Sequence, residues 1–217
     1  MAKLNSLIYS CLPTGIIQAN CCILGNPETG NYIVTDVGGD ADRVISRAKS
    51  IGLKKCVGVY FTHGHFDHVS GAKKIKELTG APLCLHEKDI ELYKNLPMQC
   101  DYFGVPEVNN LPPIDVILKG GDEINLDGHK GVVLHTPGHS PGSCSFYFKD
   151  EEIVINGDTL FAGSYGRTDL WGGSFAQLKA SIKNVLFSLP LNTIVVTGHG
   201  SNTTIREAKK SNMICFA

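Results

Sequence analysis

The stretch Thr62-His63-Gly64-His65-Phe66-Asp67-His68 places three imidazoles and a carboxylate within six successive positions. It directly follows a short apolar run, residues 56–61, which is typical of a buried strand. Apolar residues with helical spacing follow it as far as Gly80, a residue type that commonly ends helices. The sequence therefore predicts a loop between a strand and a helix, a place where a rigid scaffold often presents functional side chains.

The spacing within this stretch indicates a metal site. In an extended segment, residues two apart point the same way, so His63 and His65 can bind one ion together. Asp67 and His68 come after the chain has begun to turn, and they serve a second ion more easily than the first. The alternative is a group of surface or core histidines, but clusters of His and carboxylate are what borderline metals select. Structural zinc fingers use a different spacing, with paired Cys or Cys/His ligands farther apart.

Three further donors each follow a predicted strand and have glycine neighbours. They are His139 in the segment 136–142, Asp158 in Gly157-Asp158-Thr159, and His199 in Gly198-His199-Gly200. Glycine lets the backbone approach closely, so that the donor can point inward. We expect two sets of three ligands and one bridging residue: His63, His65 and His139; Asp67, His68 and His199; and Asp158. The three remaining histidines, His86, His129 and His135, are not expected to be ligands.

This donor set predicts two divalent metal ions. It contains imidazole and carboxylate but no thiolate, which favours zinc, with iron and manganese as the alternatives. It also leaves room for a bound water, as a catalytic site requires.

The composition excludes several classes of protein. The chain has 217 residues, is 42% hydrophobic and carries a formal net charge of -1. No linker is visible, so we expect one domain over residues 1–217. The sequence has no Lys/Arg-rich run, so we expect no nucleic-acid partner. It has no apolar run of roughly 20 residues, so we expect no membrane segment. It also shows no signal-peptide core, so we expect a cytoplasmic location.

The eight cysteines are expected to be reduced thiols, because they contain no CxxC pair and most lie in apolar runs. Cys21-Cys22 could form a metal or redox pair, but a strand that points one of the two inward is the favoured interpretation.

The periodicity predicts an α/β fold. The expected strands are at residues 6–10, 20–24, 31–35, 56–61, 83–85, 115–118, 123–126, 131–135, 143–148, 153–156 and 193–197. Helices are expected after Asp40, over 69–79 and 87–95, and after the capping boxes Ser174-x-x-Gln177 and Thr204-x-x-Glu207. Strands and helices recur in both halves, which predicts an αββα sandwich, with two mixed β-sheets flanked by helices. Residues 97–113 show little periodicity and are expected to form a long surface loop, either a lid or an ordered connector.

These residues resemble the metallo-β-lactamase superfamily. Its signature, HxHxDH followed by a separated His, Asp and His, is matched by His63-x-His65-x-Asp67-His68, His139, Asp158 and His199. The similarity runs from Asp36 through the last predicted helix. Within the superfamily the chain is most similar to short bacterial members of the glyoxalase II group. The segments that carry this likeness are Thr136–Gly142, Gly157–Phe161, Gly166–Asp169, Gly198–Gly200 and Thr203–Ile205.

The resemblance implies a metallo-β-lactamase fold, a two-metal site and the hydrolysis of a small-molecule thioester. Glyoxalase II itself cleaves S-D-lactoylglutathione to D-lactate and glutathione. For hydrolysis at such a site, our hypothesis is that Asp67 and Asp158 are the catalytic carboxylates, which orient the attacking water or accept its proton while remaining ligands. The chain departs from the family pattern in two ways. It has Val37 where the family usually has Pro. We also expect it to lack the C-terminal helical domain of long glyoxalase II enzymes.

Two other activities remain alternatives. A mononuclear iron persulfide dioxygenase also carries a Gly-Arg-Thr-Asp segment, found here at 166–169, but it binds one iron through two His and one Asp. Another hydrolase of the same fold, such as a lactonase, would use the same ligands on a different substrate. The number of ions bound per chain separates the dioxygenase from the hydrolases.

Overall fold

Two mixed β-sheets pack face to face and carry helices on their outer faces, so the predicted αββα sandwich is confirmed. The structure, a computed structural model, describes residues 2–4 and 6–215. Its strands are β1 (Ala2–Lys3), β2 (Ile8–Thr14), β3 (Ala19–Gly25), β4 (Asn31–Thr35), β5 (Lys55–Tyr60), β6 (Leu83–His86), β7 (Val116–Leu118), β8 (Glu123–Leu126), β9 (His129–His135), β10 (Cys144–Phe148), β11 (Ile153–Gly157), β12 (Ile194–Thr197) and β13 (Thr203–Thr204). Its helices are α1 (Ala41–Ser50), α2 (Phe66–Val69), α3 (Ala72–Thr79), α4 (Ile90–Lys94), α5 (Leu96–Phe103), α6 (Phe175–Ala180) and α7 (Ile205–Ser211).

The strand order brings the functional loops to one edge of the sandwich. The first sheet has the order β1-β2-β3-β4-β5-β6-β7, antiparallel as far as β4 and parallel beyond it. The second has the order β13-β12-β11-β10-β9-β8, in which only β11 and β12 are parallel. Strands β9 and β11 both run antiparallel to β10, so β9, β11 and β12 all end at the same edge of their sheet.

Three apolar clusters lie between the four layers. The inner core, between the sheets, contains Ile33 of the first sheet and Val133, Phe146 and Ile155 of the second. A second cluster lies under α1 and α3, and a third under α6 and α7. Each sheet is therefore buried on both faces, which explains why every residue of β10 and β11 is buried instead of every second one.

The prediction of a long loop over residues 97–113 was wrong in its first part, because residues 96–103 form α5. Pro97 lies in the first turn of this helix, where a proline removes no helical hydrogen bond. Leu96, Gln99 and Cys100 are buried by the rest of the molecule. The remainder of the segment is held against the body, in part because the Tyr93 hydroxyl donates to the Pro112 carbonyl at 2.7 Å.

Several element boundaries also differ from the prediction. The helix expected over 69–79 is two helices, because the chain already turns at Phe66 and is interrupted at Gly71. The strand expected at residues 6–10 is β2, which ends at Thr14, four residues later than predicted. Asp40 precedes α1 as expected, but its carboxylate accepts from the Gly15 amide at 3.1 Å instead of capping the helix. Ser174 and Thr204 do cap their helices, accepting from the amides of Gln177 and Glu207.

No helix among residues 2–4 and 6–215 combines the length and the apolar character that a bilayer span requires.

Packing between the two sheets should dominate the stability of the fold. Phe146 is fully buried and contacts Tyr60 of the facing sheet edge-on, with ring centroids 5.5 Å apart. We expect Phe146→Ala to lower the free energy of unfolding by about 3–5 kcal/mol, because it leaves a cavity between the sheets. Phe175→Ala makes the same chemical change at a side chain that is 39% exposed, and should cost about 1 kcal/mol or less. Urea unfolding of the metal-free proteins measures both, and equal losses would contradict this account.

Candidate metal centre

The loop after β5 is fixed by the carboxylate of Asp36, which follows β4. Asp36 accepts from the Thr62 amide at 2.8 Å and from the Thr62 hydroxyl at 2.9 Å. Because that hydroxyl proton is used, Thr62 Oγ1 accepts from His63 Nδ1, 3.1 Å away. His63 therefore carries its proton on Nδ1 and keeps the Nε2 lone pair for the site.

The first predicted set of donors lies together. His139 Nε2 is 2.9 Å from His65 Nδ1 and 3.2 Å from His63 Nε2, and all three residues are buried. His139 Nδ1 donates to the Arg167 carbonyl at 2.8 Å, which leaves His139 Nε2 free to face its partners. Three ring nitrogens thus converge on one point.

The second predicted set also lies together. Asp67 and His68 are on the first turn of α2, and His199 follows β12. Asp67 Oδ2 is 3.0 Å from His199 Nε2 and 3.3 Å from His68 Nε2. Asp67 and His68 are buried, whereas the His199 side chain is 28% exposed and forms the side of the group that solvent reaches.

Asp158, at the end of β11, lies between the two sets. Its Oδ1 is 3.4 Å from His68 Nε2. Its Oδ2 is 3.6 Å from His139 Nε2 and 3.7 Å from His199 Nε2. This is the position that a bridging ligand requires.

The donor atoms fit a group of bound cations. His68 Nε2 and Asp158 Oδ1 are buried, lie 3.4 Å apart and make no hydrogen bond, which costs free energy in any protein unless a ligand compensates. The ligand atoms within each of the two predicted sets lie within 4.8 Å of one another. Nitrogens bound tetrahedrally to one zinc, each about 2.0–2.1 Å from the metal, are roughly 3.3 Å apart, close to the separations seen in the first set.

The protonation states of His63 and His65 suit metal binding directly. Burial lowers the pKa of His65 to about 3, and burial with the neighbouring histidines holds the pKa of His63 well below its usual range. Both rings are therefore neutral at pH 7 and keep their lone pairs.

In the second set, burial acts to lower the pKa of His68 and His199, but Asp67 and Asp158 outweigh it and raise both values, so an ion there has to displace a proton. Burial acts to raise the pKa of Asp67 and Asp158, but His68 and the other nearby imidazoles outweigh it and lower both values, so both carboxylates are charged.

Glycines permit the close approach of these loops, as the sequence predicted. A side chain at Gly198 would collide with Asp158 Oδ1, and one at Gly38 or Gly166 would collide with the carbonyl of Asp67 or Asp158. These three positions therefore admit no larger residue without movement of a candidate ligand.

Two buried residues that the sequence analysis did not single out hold the His63-Gly64-His65 turn. Asp89 accepts from the amides of Gly64 (2.9 Å) and Gly142 (2.6 Å) and from the Ser140 hydroxyl (2.6 Å). It thereby ties the turn bearing His63 and His65 to the loop bearing His139. Burial raises the pKa of Asp89 above its ordinary value, although these three donors act in the opposite direction.

Gln99 of α5 completes this arrangement. Its side-chain amide donates to the Gly64 carbonyl at 3.0 Å, and its oxygen accepts from the Phe66 amide at 3.0 Å. Both polar groups of Gly64 are thus bound by buried side chains from the segment 87–103. A buried glutamine inside a stretch of weak periodicity gives no signal in a single sequence, which is why it was missed.

The centre opens into a cleft of about 290 Å³. Its walls are the apolar residues Ile17, Phe66, Phe103 and Leu170, and its floor and rim are the polar residues His65, Asp67, His139, Asp158, Arg167 and His199. Arg167 at the rim donates to both carboxylate oxygens of Asp169, through two contacts of 2.7 Å. A larger groove of about 380 Å³ lies beside α4 and residues 108–117, and none of the candidate ligands lines it.

The other histidines lie outside the group, as expected. His86 stacks on His135 with ring centroids 4.4 Å apart, and His129 pairs with the buried Glu151 at 2.8 Å.

Comparison with known proteins identifies relatives across nearly the whole chain. The family model described as the metallo-beta-lactamase superfamily matches residues 14–199. The hydroxyacylglutathione hydrolase GloC of Haemophilus influenzae is 37% identical over 202 residues, covering 93% of this chain and 94% of that protein. The crystal structure of BLEG-1, a B3 metallo-beta-lactamase, superposes with a TM-score of 0.90 at 34% identity, over 97% of this chain and 100% of that one. TTHA1623, crystallised in a di-iron-bound form, gives a TM-score of 0.83 at 33% identity, over 94% and 98% of the two chains.

The residues that hold the Gly64 peptide should control metal affinity. We expect Asp89→Asn and Gln99→Met each to weaken metal binding roughly 10–100-fold, because each removes a bond that fixes the turn carrying two candidate ligands. Competition with a chelator measures the affinity, and the absorption spectrum of the cobalt-substituted protein reports on the ligand geometry. Asp101→Asn, an exposed change on the same helix, serves as the control and should leave both unchanged. Unaltered affinity in Asp89→Asn and Gln99→Met proteins that remain folded would contradict this role.

Proposed function

Because this chain belongs to the metallo-β-lactamase superfamily, we propose that it is a metal-dependent thioesterase of the glyoxalase II type, which cleaves S-D-lactoylglutathione or a related small-molecule thioester. The observation that carries the proposal is the grouping of seven imidazole and carboxylate donors into two sets that share Asp158. The relative named hydroxyacylglutathione hydrolase, at 37% identity, supports the choice of a thioester.

We propose that two divalent ions bind here, with zinc as the first choice. His63, His65 and His139 would hold one ion, Asp67, His68 and His199 the other, and Asp158 both. The di-iron form of TTHA1623 supports a two-metal site and makes iron the main alternative. Three oxygen or nitrogen ligands per ion with one shared carboxylate leave positions for water and substrate, which distinguishes this set from a closed structural site.

The metal ions would supply a Lewis acid and a water of lowered pKa. The side chains of the protein would orient the attacking water and accept its proton during thioester hydrolysis. Asp67 lies in the second set and Asp158 between the two sets, and both are charged, so either can orient the attacking water and accept its proton. Because a thiolate is a good leaving group, the reaction needs no strong general acid, which fits the neutral, low-pKa imidazoles of His63 and His65.

The cleft suits a substrate with an apolar body and a polar reacting group. Phe66, Phe103 and Leu170 form apolar walls beside the polar floor, so the stem on either side of the thioester carbon can bind against them while the carbonyl faces the donors. Arg167 lies at the margin, where its charge is partly balanced by Asp169. We propose a small-molecule substrate and neither nucleic acid nor a membrane as a partner, because the chain has no Lys/Arg-rich run and the cleft has a volume of about 290 Å³.

Metal content and turnover test the proposal together. We expect close to two ions per chain and hydrolysis of S-D-lactoylglutathione, measured as thiol release from the purified protein. His65→Ala should lower kcat/KM by more than the roughly 10–100-fold typical of residues outside the ligand set, and should lower the metal content. His129→Gln removes an imidazole outside the donor group and keeps a donor for Glu151, so it should retain full activity.

Other outcomes separate the alternatives. One iron per chain, no thiol release and oxygen uptake with glutathione persulfide would overturn the proposal in favour of a dioxygenase. Two ions without thiol release would overturn the choice of substrate and direct the search to other thioesters and to lactones. The likeness to BLEG-1, which is named a metallo-beta-lactamase, makes a β-lactam a necessary further substrate in that search.

A further inference from the structure

Two cysteines face each other across the first hairpin of the sheet. Cys11 of β2 and Cys22 of β3 are direct partners in the antiparallel register. Directly opposed residues point to the same face of a sheet, and both thiols indeed pack against the inner core between the sheets. The neighbouring Cys21 points to the opposite face and belongs to the cluster under the helices. The pair to consider is therefore Cys11 with Cys22, not the adjacent Cys21 with Cys22.

The hydrogen-bond pattern shows how close the two backbones are at this point. Pro13, the partner of Asn20 in the register, has no amide hydrogen, and the Asn20 amide donates away from β2 to the Gly198 carbonyl at 2.7 Å. Pro13 and Asn20 therefore form a non-hydrogen-bonded pair. Such pairs recur at every second position, so Cys11 and Cys22 form one as well. Their Cα atoms are thus ~4.5 Å apart, within the ~4.4–6.8 Å that a disulfide spans.

The two thiols differ in their surroundings. Cys22 is fully buried, whereas Cys11 is partly exposed. The side-chain amide of Asn202 donates to Cys11 Sγ at 3.8 Å. The contact with the Cys22 thiol, together with Asn202, lowers the pKa of Cys11, while the same contact and burial raise that of Cys22 well above its ordinary value. Cys11 is accordingly the thiol that a small molecule can reach and that ionises first.

We propose that Cys11 and Cys22 are a reversible dithiol–disulfide pair, oxidised by exchange with a small-molecule disulfide. The Cys11 thiolate attacks one sulfur of the disulfide RSSR, forming a Cys11–SR mixed disulfide and releasing RS⁻. The Cys22 thiol then loses its proton and attacks Cys11 Sγ, forming the Cys11–Cys22 bond and releasing the second RS⁻. The protein loses two electrons and two protons, and RSSR is reduced to two molecules of RSH.

The position of the pair connects it with the candidate metal centre. The side chain of Asn20, next to Cys21 on β3, donates to the carbonyls of Thr197 and Gly200 on either side of His199. Asn202, the partner of Cys11, belongs to the same loop, and the tip of the hairpin contributes Ile17 to the cleft. A Cys11–Cys22 bond would therefore join the two strands that adjoin the loop bearing His199.

Mass spectrometry of the metal-loaded protein treated with glutathione disulfide tests the proposal directly. The experiment is best done in a Cys215→Ser background, because Cys215 is exposed and would form adducts of its own. We expect the protein to lose the mass of two hydrogens, a peptide map to link Cys11 to Cys22, and dithiothreitol to restore the original mass. This result does not depend on any catalytic activity, so its failure and the failure of the thioesterase proposal are distinguishable.

Single variants check the order of the two steps. Cys22→Ala should accumulate one glutathione moiety on Cys11, because the resolving thiol is missing. Cys11→Ser should gain neither an adduct nor an internal bond, because Cys22 is buried. A stable glutathione adduct on Cys11 without an internal bond in the protein that retains both cysteines would overturn the proposal, and so would the absence of any change in its mass.

Discussion

The structure depends on the convergence of buried electron donors at one edge of the sandwich. Ring nitrogens of three histidines lie about as close together as hydrogen-bonded atoms, and the buried atoms His68 Nε2 and Asp158 Oδ1 make no hydrogen bond. Such a group is costly on its own, because its members have lost their water and the three ring nitrogens of His63, His65 and His139 crowd one another. A positive ion removes both costs at once. The rest of the chain is best understood as the framework that keeps these donors in place until the ion binds.

That framework is made of ordinary polar contacts in a buried setting. Asp36 fixes the tautomer of His63 through Thr62, and the Arg167 carbonyl does the same for His139. Asp89 and Gln99 hold the peptide of Gly64 from the opposite side. None of these groups is itself a candidate ligand, and all of these bonds except the one to the Arg167 carbonyl are fully buried. The donors are therefore positioned before any ion arrives, which reduces the reorganisation that metal binding demands.

The sequence was sufficient for the fold and for the seven donors, but not for the residues that support them. Strands and strand-end donors could be predicted because apolar runs and a dense cluster such as His63 to His68 are local patterns. All seven donors named from those patterns lie together, and their role as ligands stays a prediction. Gln99 could not be found, because a buried glutamine differs from an exposed one only in its tertiary contacts. The helix α5 was missed for a related reason, since Pro97 suggested a loop where it instead begins a helix.

The donors come from both sheets and from distant parts of the chain, and this separation has a consequence for biosynthesis. His63 and His65 leave the ribosome long before His139, Asp158 and His199 exist, so the nascent chain holds only a fragment of the centre. Contacts between residues so far apart form late in folding, because the long intervening loop must close first. Under the proposed assignment, complete coordination would require the released and folded chain. Metal loading would then be an event of maturation that follows the docking of the second sheet onto the first.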